Sequence, residues 1–78
     1  MTQAELKELI LKTLVSVAPN VDLDEIEADE NFRDQFDFDS MDFLNFVTAL
    51  GKALGREVPP RDTPKLASLE GCLAYFSN

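Results

Sequence analysis

The chain has 78 residues, 45% hydrophobic and 28% charged, a balance that belongs to folded domains and not to disordered ones. Fifteen acidic residues against seven basic give a formal net charge of −8, and no cluster of Lys or Arg offers a grip on a phosphate backbone, which excludes nucleic acid as a partner. Histidine is absent and Cys72 is the one cysteine, so the sequence cannot assemble a Ser-His-Asp or Cys-His catalytic set, an intrachain disulfide or a cysteine-based metal site.

One domain spanning residues 1–78 is expected, and a chain this short buries only about 60% of the surface its unfolded form exposes. No apolar run is long enough to span a bilayer, and the N-terminal residues lack the continuous hydrophobic stretch of a signal peptide. A cytoplasmic monomer without catalytic activity of its own is the expectation. The acidic surface suits solubility and docking on partners with basic patches.

Thr2 and Glu5 have the spacing of a capping box ahead of Leu6, Leu9, Ile10, Leu14 and Val17, which recur at helical intervals with Leu11 and Val15 widening the stripe. Glu8 and Lys12 are placed for an i,i+4 ion pair on the outer face. A first helix over about 3–17 follows, stopped by Pro19. Residues 19–39 show no sustained period. Val21, Leu23, Ile26, Phe32, Phe36 and Phe38 punctuate the acidic residues there, and predict an irregular connection fixed to the core at several points, with room for a short helical turn.

A second helix is predicted over about 40–54, with Phe43, Phe46, Val47, Leu50 and Leu54 inward, Met41, Asn45, Thr48 and Lys52 outward, and Leu44 at the flank. Gly55 serves as its stop. Val58-Pro59-Pro60 forbids helix, and a short helical turn is placed near 61–65. Ser68 caps a last helix reaching residue 76, carrying Leu69, Cys72, Leu73 and Phe76 on one stripe, which makes Cys72 a core residue. The fold class is all-α: a small bundle of three main helices plus the short turn.

The functional signal lies at Asp39-Ser40-Met41-Asp42. Asp39 or Ser40 can cap the incoming helix, and Asp42 falls in its first turn, where the helix dipole favours negative charge. Unpaired amides at such an end suit a phosphate group. Asp-Ser before an apolar helix is also an ordinary capping sequence. Met41 and Leu44, apolar but off the core stripe, add the character of a docking surface beside the serine.

The stretch Phe38-Asp39-Ser40-Met41-Asp42-Phe43-Leu44 resembles the Asp-Ser-Leu-(Asp/Glu) signature of acyl carrier proteins. The likeness continues through Val47, Ala49 and Leu50, then Glu57-Val58-Pro59, Leu66 and Ser68-Leu69, and runs from residue 36 to residue 76 without a gap. The first helix and the acidic connection agree in length and pattern, so the resemblance covers nearly the whole chain. It implies a carrier: a phosphopantetheinyl transferase would attach 4'-phosphopantetheine from coenzyme A to Ser40, with Asp39 orienting the attachment site. The thiol of that arm would hold acyl groups as thioesters for acyl-loading and acyl-processing enzymes of fatty-acid, polyketide or related metabolism. Met41, Asp42, Leu44, Asn45 and Thr48 would form the face those partners read.

Three features depart from the family pattern. Where relatives carry glutamates on the outer face of the second helix, this chain has Asn45, Gly51, Lys52 and Ala53. Asp37 replaces the usual glycine, and Phe43 with Phe46 crowds the space for cargo, which points to short or polar acyl groups. A peptidyl or aminoacyl carrier using the same serine, and an unmodified acidic interaction module, are the alternatives. An EF-hand is excluded, because neither Asp22-Leu23-Asp24 nor Asp37-Phe38-Asp39 continues with the remaining ligands such a loop needs.

Overall fold

Thr2 starts the first helix with a reciprocal pair of hydrogen bonds, donating its amide to the Glu5 carboxylate at 2.9 Å and accepting the Glu5 amide at 3.1 Å. The computed structural model describes residues 1–77; Asn78, part of the expected domain, lies outside the described residues. Helix α1 covers Gln3–Val17 and buries Leu6, Ile10 and Leu14. Thr13 is buried with them, its hydroxyl satisfied by donation to the Leu9 carbonyl at 2.8 Å. Glu8 and Lys12 do not meet within 4.0 Å: the only ion pairs among the described residues are those of Asp62 with Arg61 and Lys65. Both side chains are exposed, and holding them together would cost more side-chain entropy than the screened attraction returns.

The connection from α1 contains more helix than its sequence period announced. Asp22 caps a one-turn 3-10 segment, Leu23–Glu25, and Asn31 caps a four-residue helix α2, Phe32–Gln35. Leu23, expected at the core, is 39% exposed, because the turn points it outward. Phe32 and Phe38 are the buried anchors, with Val21, Ile26 and Phe36 packed partly against them. The Phe32 ring stands edge-on to Phe46 at 5.5 Å and to Phe38 at 6.0 Å. Gln35 closes the loop on itself: it accepts the Glu27 amide at 2.7 Å and donates to the carbonyls of Glu27 and Glu30 at 2.8 and 3.0 Å. Main-chain bonds from Phe32 to Ala67 and from Glu70 to Ala28 then fasten it beside the last helix.

Helix α3, Ser40–Leu54, buries Phe46, Val47 and Leu50, with Phe43 and Leu54 half-buried on the same side. Gly55 ends it in a left-handed conformation at φ 66°. Gly51 is a correction: it is buried, not outward, because a Cβ there would lie 2.7 Å from the Arg56 carbonyl oxygen. Only glycine lets the chain fold back so closely, with the Arg56 amide donating to the Gly51 carbonyl at 2.9 Å. The short turn is a 3-10 segment, Pro60–Leu66, and α4 runs Leu69–Phe76 behind the Ser68 cap. Helix α1 packs against both α3 and α4, while the Pro60–Leu66 segment packs on α4. Cys72 is fully buried, as its stripe position implied, and that burial pushes its thiol up to about 12.

Candidate functional site

Asp39 sets where α3 begins. Its backbone is extended, at φ −82° and ψ 178°, and its carboxylate accepts the Asp42 amide at 2.8 Å. Of the two expected caps, Asp39 takes the role and Ser40 becomes the first helical residue. The first intrahelical bond runs from the Phe43 amide to the Asp39 carbonyl at 3.0 Å. The amides of Ser40 and Met41 are therefore left pointing out of the helix end without acceptors, as helix geometry requires.

Ser40 is exposed. Among the described residues its hydroxyl has no hydrogen-bond partner, and in this it stands apart from the other three serines of the chain. Ser16 donates to the Thr13 carbonyl, Ser68 accepts the Gly71 amide, and Ser77 donates to the Ala74 carbonyl. Asp39 beside it is committed to its cap, and the sequence offers no imidazole. The site therefore presents a free hydroxyl without a base to activate it, and chemistry there needs help from another molecule.

The surroundings of Ser40 differ on its two sides. On one side an open groove of about 320 Å³ is lined by Ser40, Met41, Phe43, Leu44, Val47 and Thr63. It adjoins a second hollow of about 550 Å³ that shares Leu44, Val47 and Thr63 and extends to Thr48, Lys52, Val58 and Pro60. Together they make a mainly apolar channel between α3 and the Pro60–Leu66 segment. On the other side Asp42 faces a hollow of about 450 Å³ with Asp37, Phe36, Asn20 and Val21. Ten of the fifteen acidic residues fall between positions 22 and 42, with Arg33 the lone cation among them, so most of the negative charge lies in the segment that runs up to and just past Ser40.

The expected recognition residues thus divide. Met41 and Leu44 are 63% and 54% exposed and rim the groove together with Thr48. Asp42 turns to the acidic side, and Asn45 is exposed on the helix without lining either hollow. Of the two aromatics expected to crowd the cargo space, Phe43 lines the groove while Phe46 is fully buried in the ring cluster. Pro60 and Thr63, which with Val58 build the opposite wall, carried no functional signal in the sequence, and Val58 entered only through the Glu57-Val58-Pro59 likeness and as part of a helix-breaking run. No group of three His, Cys, Asp or Glu residues able to hold a metal occurs among the described residues.

The model of a family described as the phosphopantetheine attachment site matches residues 10–75, and the acyl carrier protein of Lactobacillus johnsonii is 32% identical over 78 residues, all of this chain and 96% of that one. The chain belongs to the acyl carrier protein family. Acyl carrier proteins of Thermosynechococcus vestitus and Campylobacter hominis are also similar. The first is 27% identical over 78 residues, 100% of this chain and 95% of the relative. The second is 30% identical over 74 residues, 95% of this chain and 87% of the relative. No solved structure matches the chain significantly. The prosthetic group of this family is a covalently attached phosphopantetheine, and its members work with acyl-processing enzymes. No helix among the described residues is long and apolar enough to cross a membrane.

Proposed function

We propose that Ser40 bears a 4'-phosphopantetheine arm, transferred from coenzyme A by a phosphopantetheinyl transferase, and that the chain is a monomeric cytoplasmic carrier without catalysis of its own. The observation that supports this best is the uncommitted, exposed hydroxyl of Ser40 at the first residue of α3. The residues present fit the group. The free amides of Ser40 and Met41 suit a phosphodiester, and the apolar channel that starts at Ser40 suits an acyl chain. When bound, the arm supplies a thiol that holds acyl groups as thioesters. Asp39 fixes the helix start, and with it the direction of the Ser40 hydroxyl, toward an incoming transferase.

Loading and processing enzymes of fatty-acid, polyketide or a related specialised metabolism would read Met41, Asp42, Leu44, Asn45 and Thr48. Exposed Met41 and Leu44 supply apolar anchorage, and the carboxylates of residues 22–42 supply attraction to basic partners. Phe46 is withdrawn into the core and does not line the channel, so the apolar walls favour a hydrocarbon cargo over the polar one that aromatic crowding had suggested.

The test is the intact mass after incubation with coenzyme A and a promiscuous phosphopantetheinyl transferase. One arm per chain, mapped to the peptide containing Ser40 and lost in Ser40→Ala, is the expected result. An unchanged mass would sink the carrier reading and leave an acidic adaptor acting through Met41 and Leu44.

A further inference from the structure

The two walls of the channel are anchored differently. Leu44, Val47 and Thr48 belong to α3, whereas Pro60 and Thr63 belong to a segment packed on α4. Two side-chain contacts with α4 and the burial of Leu66 hold that segment in place. The Tyr75 hydroxyl donates to Asp62 Oδ2 at 2.8 Å, the Cys72 thiol reaches the Leu66 carbonyl at 3.4 Å, and Leu66 is fully buried. Gly71 permits the closest approach, since a Cβ there would collide with the Lys65 carbonyl oxygen. The Thr63 hydroxyl braces the wall internally by donating to the Pro60 carbonyl at 2.9 Å, whereas Tyr75 ties it to α4 at Asp62, one residue from Thr63, which lines both hollows. The Asp62 side chain is only 17% exposed, and its other oxygen lies 3.4 Å from Lys65 Nζ, so the acceptor is held in place.

We propose that Tyr75 is a positioning residue that keeps the cargo channel open by tying its outer wall, through Asp62, to α4. This rests on the reading of Ser40 as the bearer of the arm. The tether fixes the wall to α4. An apolar chain lying along Leu44, Val47, Val58 and Pro60 would otherwise draw the wall over itself, because closing it removes apolar surface from water. The tether opposes that collapse. The cargo is therefore presented along an open channel and is not enclosed by the bundle.

The test uses the full chain with Tyr75→Phe, Asp62→Ala and Asp62→Asn, the last retaining an oxygen that can accept from the phenol. In the unloaded protein, amide hydrogen exchange at Thr63, Lys65 and Leu66 is expected to quicken about threefold in the first two variants, the scale of losing one partly exposed hydrogen bond. It stays near wild type in Asp62→Asn, and exchange at Phe46 and Leu50 stays unchanged in all three. Each protein is then loaded from acetyl- or octanoyl-coenzyme A by the promiscuous transferase and challenged with hydroxylamine. Tyr75→Phe and Asp62→Ala are expected to shield the octanoyl form about threefold, the same loosening read through the cargo, with no change for acetyl. Exchange that does not respond, or equal changes for both chain lengths, overturns the tether. Failure of the wild type to accept any arm overturns the Ser40 reading instead, while the exchange result still decides whether Tyr75 holds the wall.

Discussion

The carboxylate of Asp39 accepts the amide of Asp42 at 2.8 Å, so the acidic residue next to Ser40 is spent on starting the helix and not on activating the hydroxyl. This relationship separates two roles that the sequence leaves merged. Asp39→Ala removes the cap and is expected to cost about 1 kcal/mol, read from denaturant midpoints. Asp39→Asn keeps the cap and most of that stability. If the charge also serves the transferase, loading slows in Asn as well as in Ala; equal loading of Asn and wild type would confine Asp39 to the cap.

Ser40→Ala removes, at an exposed position, a hydroxyl that has no hydrogen-bond partner among the described residues. Its unfolding free energy is expected to stay within about 0.5 kcal/mol of wild type, in keeping with surface substitutions away from special features. Circular dichroism melts run beside the loading assay check this. A large loss of stability would mean the hydroxyl has a structural partner.

Met41→Asp places a charge on a side chain that is 63% exposed, so the fold should survive unchanged. Docking on a partner that buries Met41 should weaken by tenfold or more, about the cost of leaving one anchor unfilled. Titration of a loading enzyme against both proteins measures it, and equal affinity would remove Met41 from the recognition face.

Gly51→Ala pushes a methyl group to 2.7 Å from the Arg56 carbonyl oxygen, a contact that backbone must move to relieve. A destabilisation of about 1–3 kcal/mol is expected, the usual cost of overpacking. Ala53→Gly, on the exposed face of the same helix, should cost only about 1 kcal/mol through helix propensity. Chemical denaturation of the pair decides whether close approach or propensity governs the end of α3.

Burial pushes the Cys72 thiol up to about 12, against an ordinary value of 9.0. The sign follows from proton counting. Above 9.0 the unfolded chain loses this proton while the folded one keeps it, so stability falls as pH rises from about 9 toward 12. Below that window the group leaves stability independent of pH. Iodoacetamide should leave Cys72 untouched in native protein at pH 8 and label it in step with unfolding by denaturant, which mass spectrometry follows. Rapid labelling of the native state would contradict its place in the core.

The long helices were legible because each carried both a period and a punctuation mark. Thr2 with Glu5, Gly55, and Ser68 are local signals that act within one turn, and the observed ends fall where they point. The connection was harder. Helix α2 has one turn, too short for a period to show, and the Asn31 cap was the only mark available. Gly51 was placed outward because a helical wheel knows nothing of the loop that returns against it. The serine at the head of α3 was readable from its motif. The far wall of the channel was not, because Val58, Pro60 and Thr63 meet α3 only in three dimensions.

Gln35 holds the acidic connection with an uncharged amide, bonded to Glu27 and Glu30 main-chain groups. Added electrolyte screens the carboxylates around it but has little hold on those neutral bonds. The connection therefore keeps its contour as its reach fades, and a titration with potassium chloride would read attraction between carrier and enzyme with the carrier's own conformation held constant.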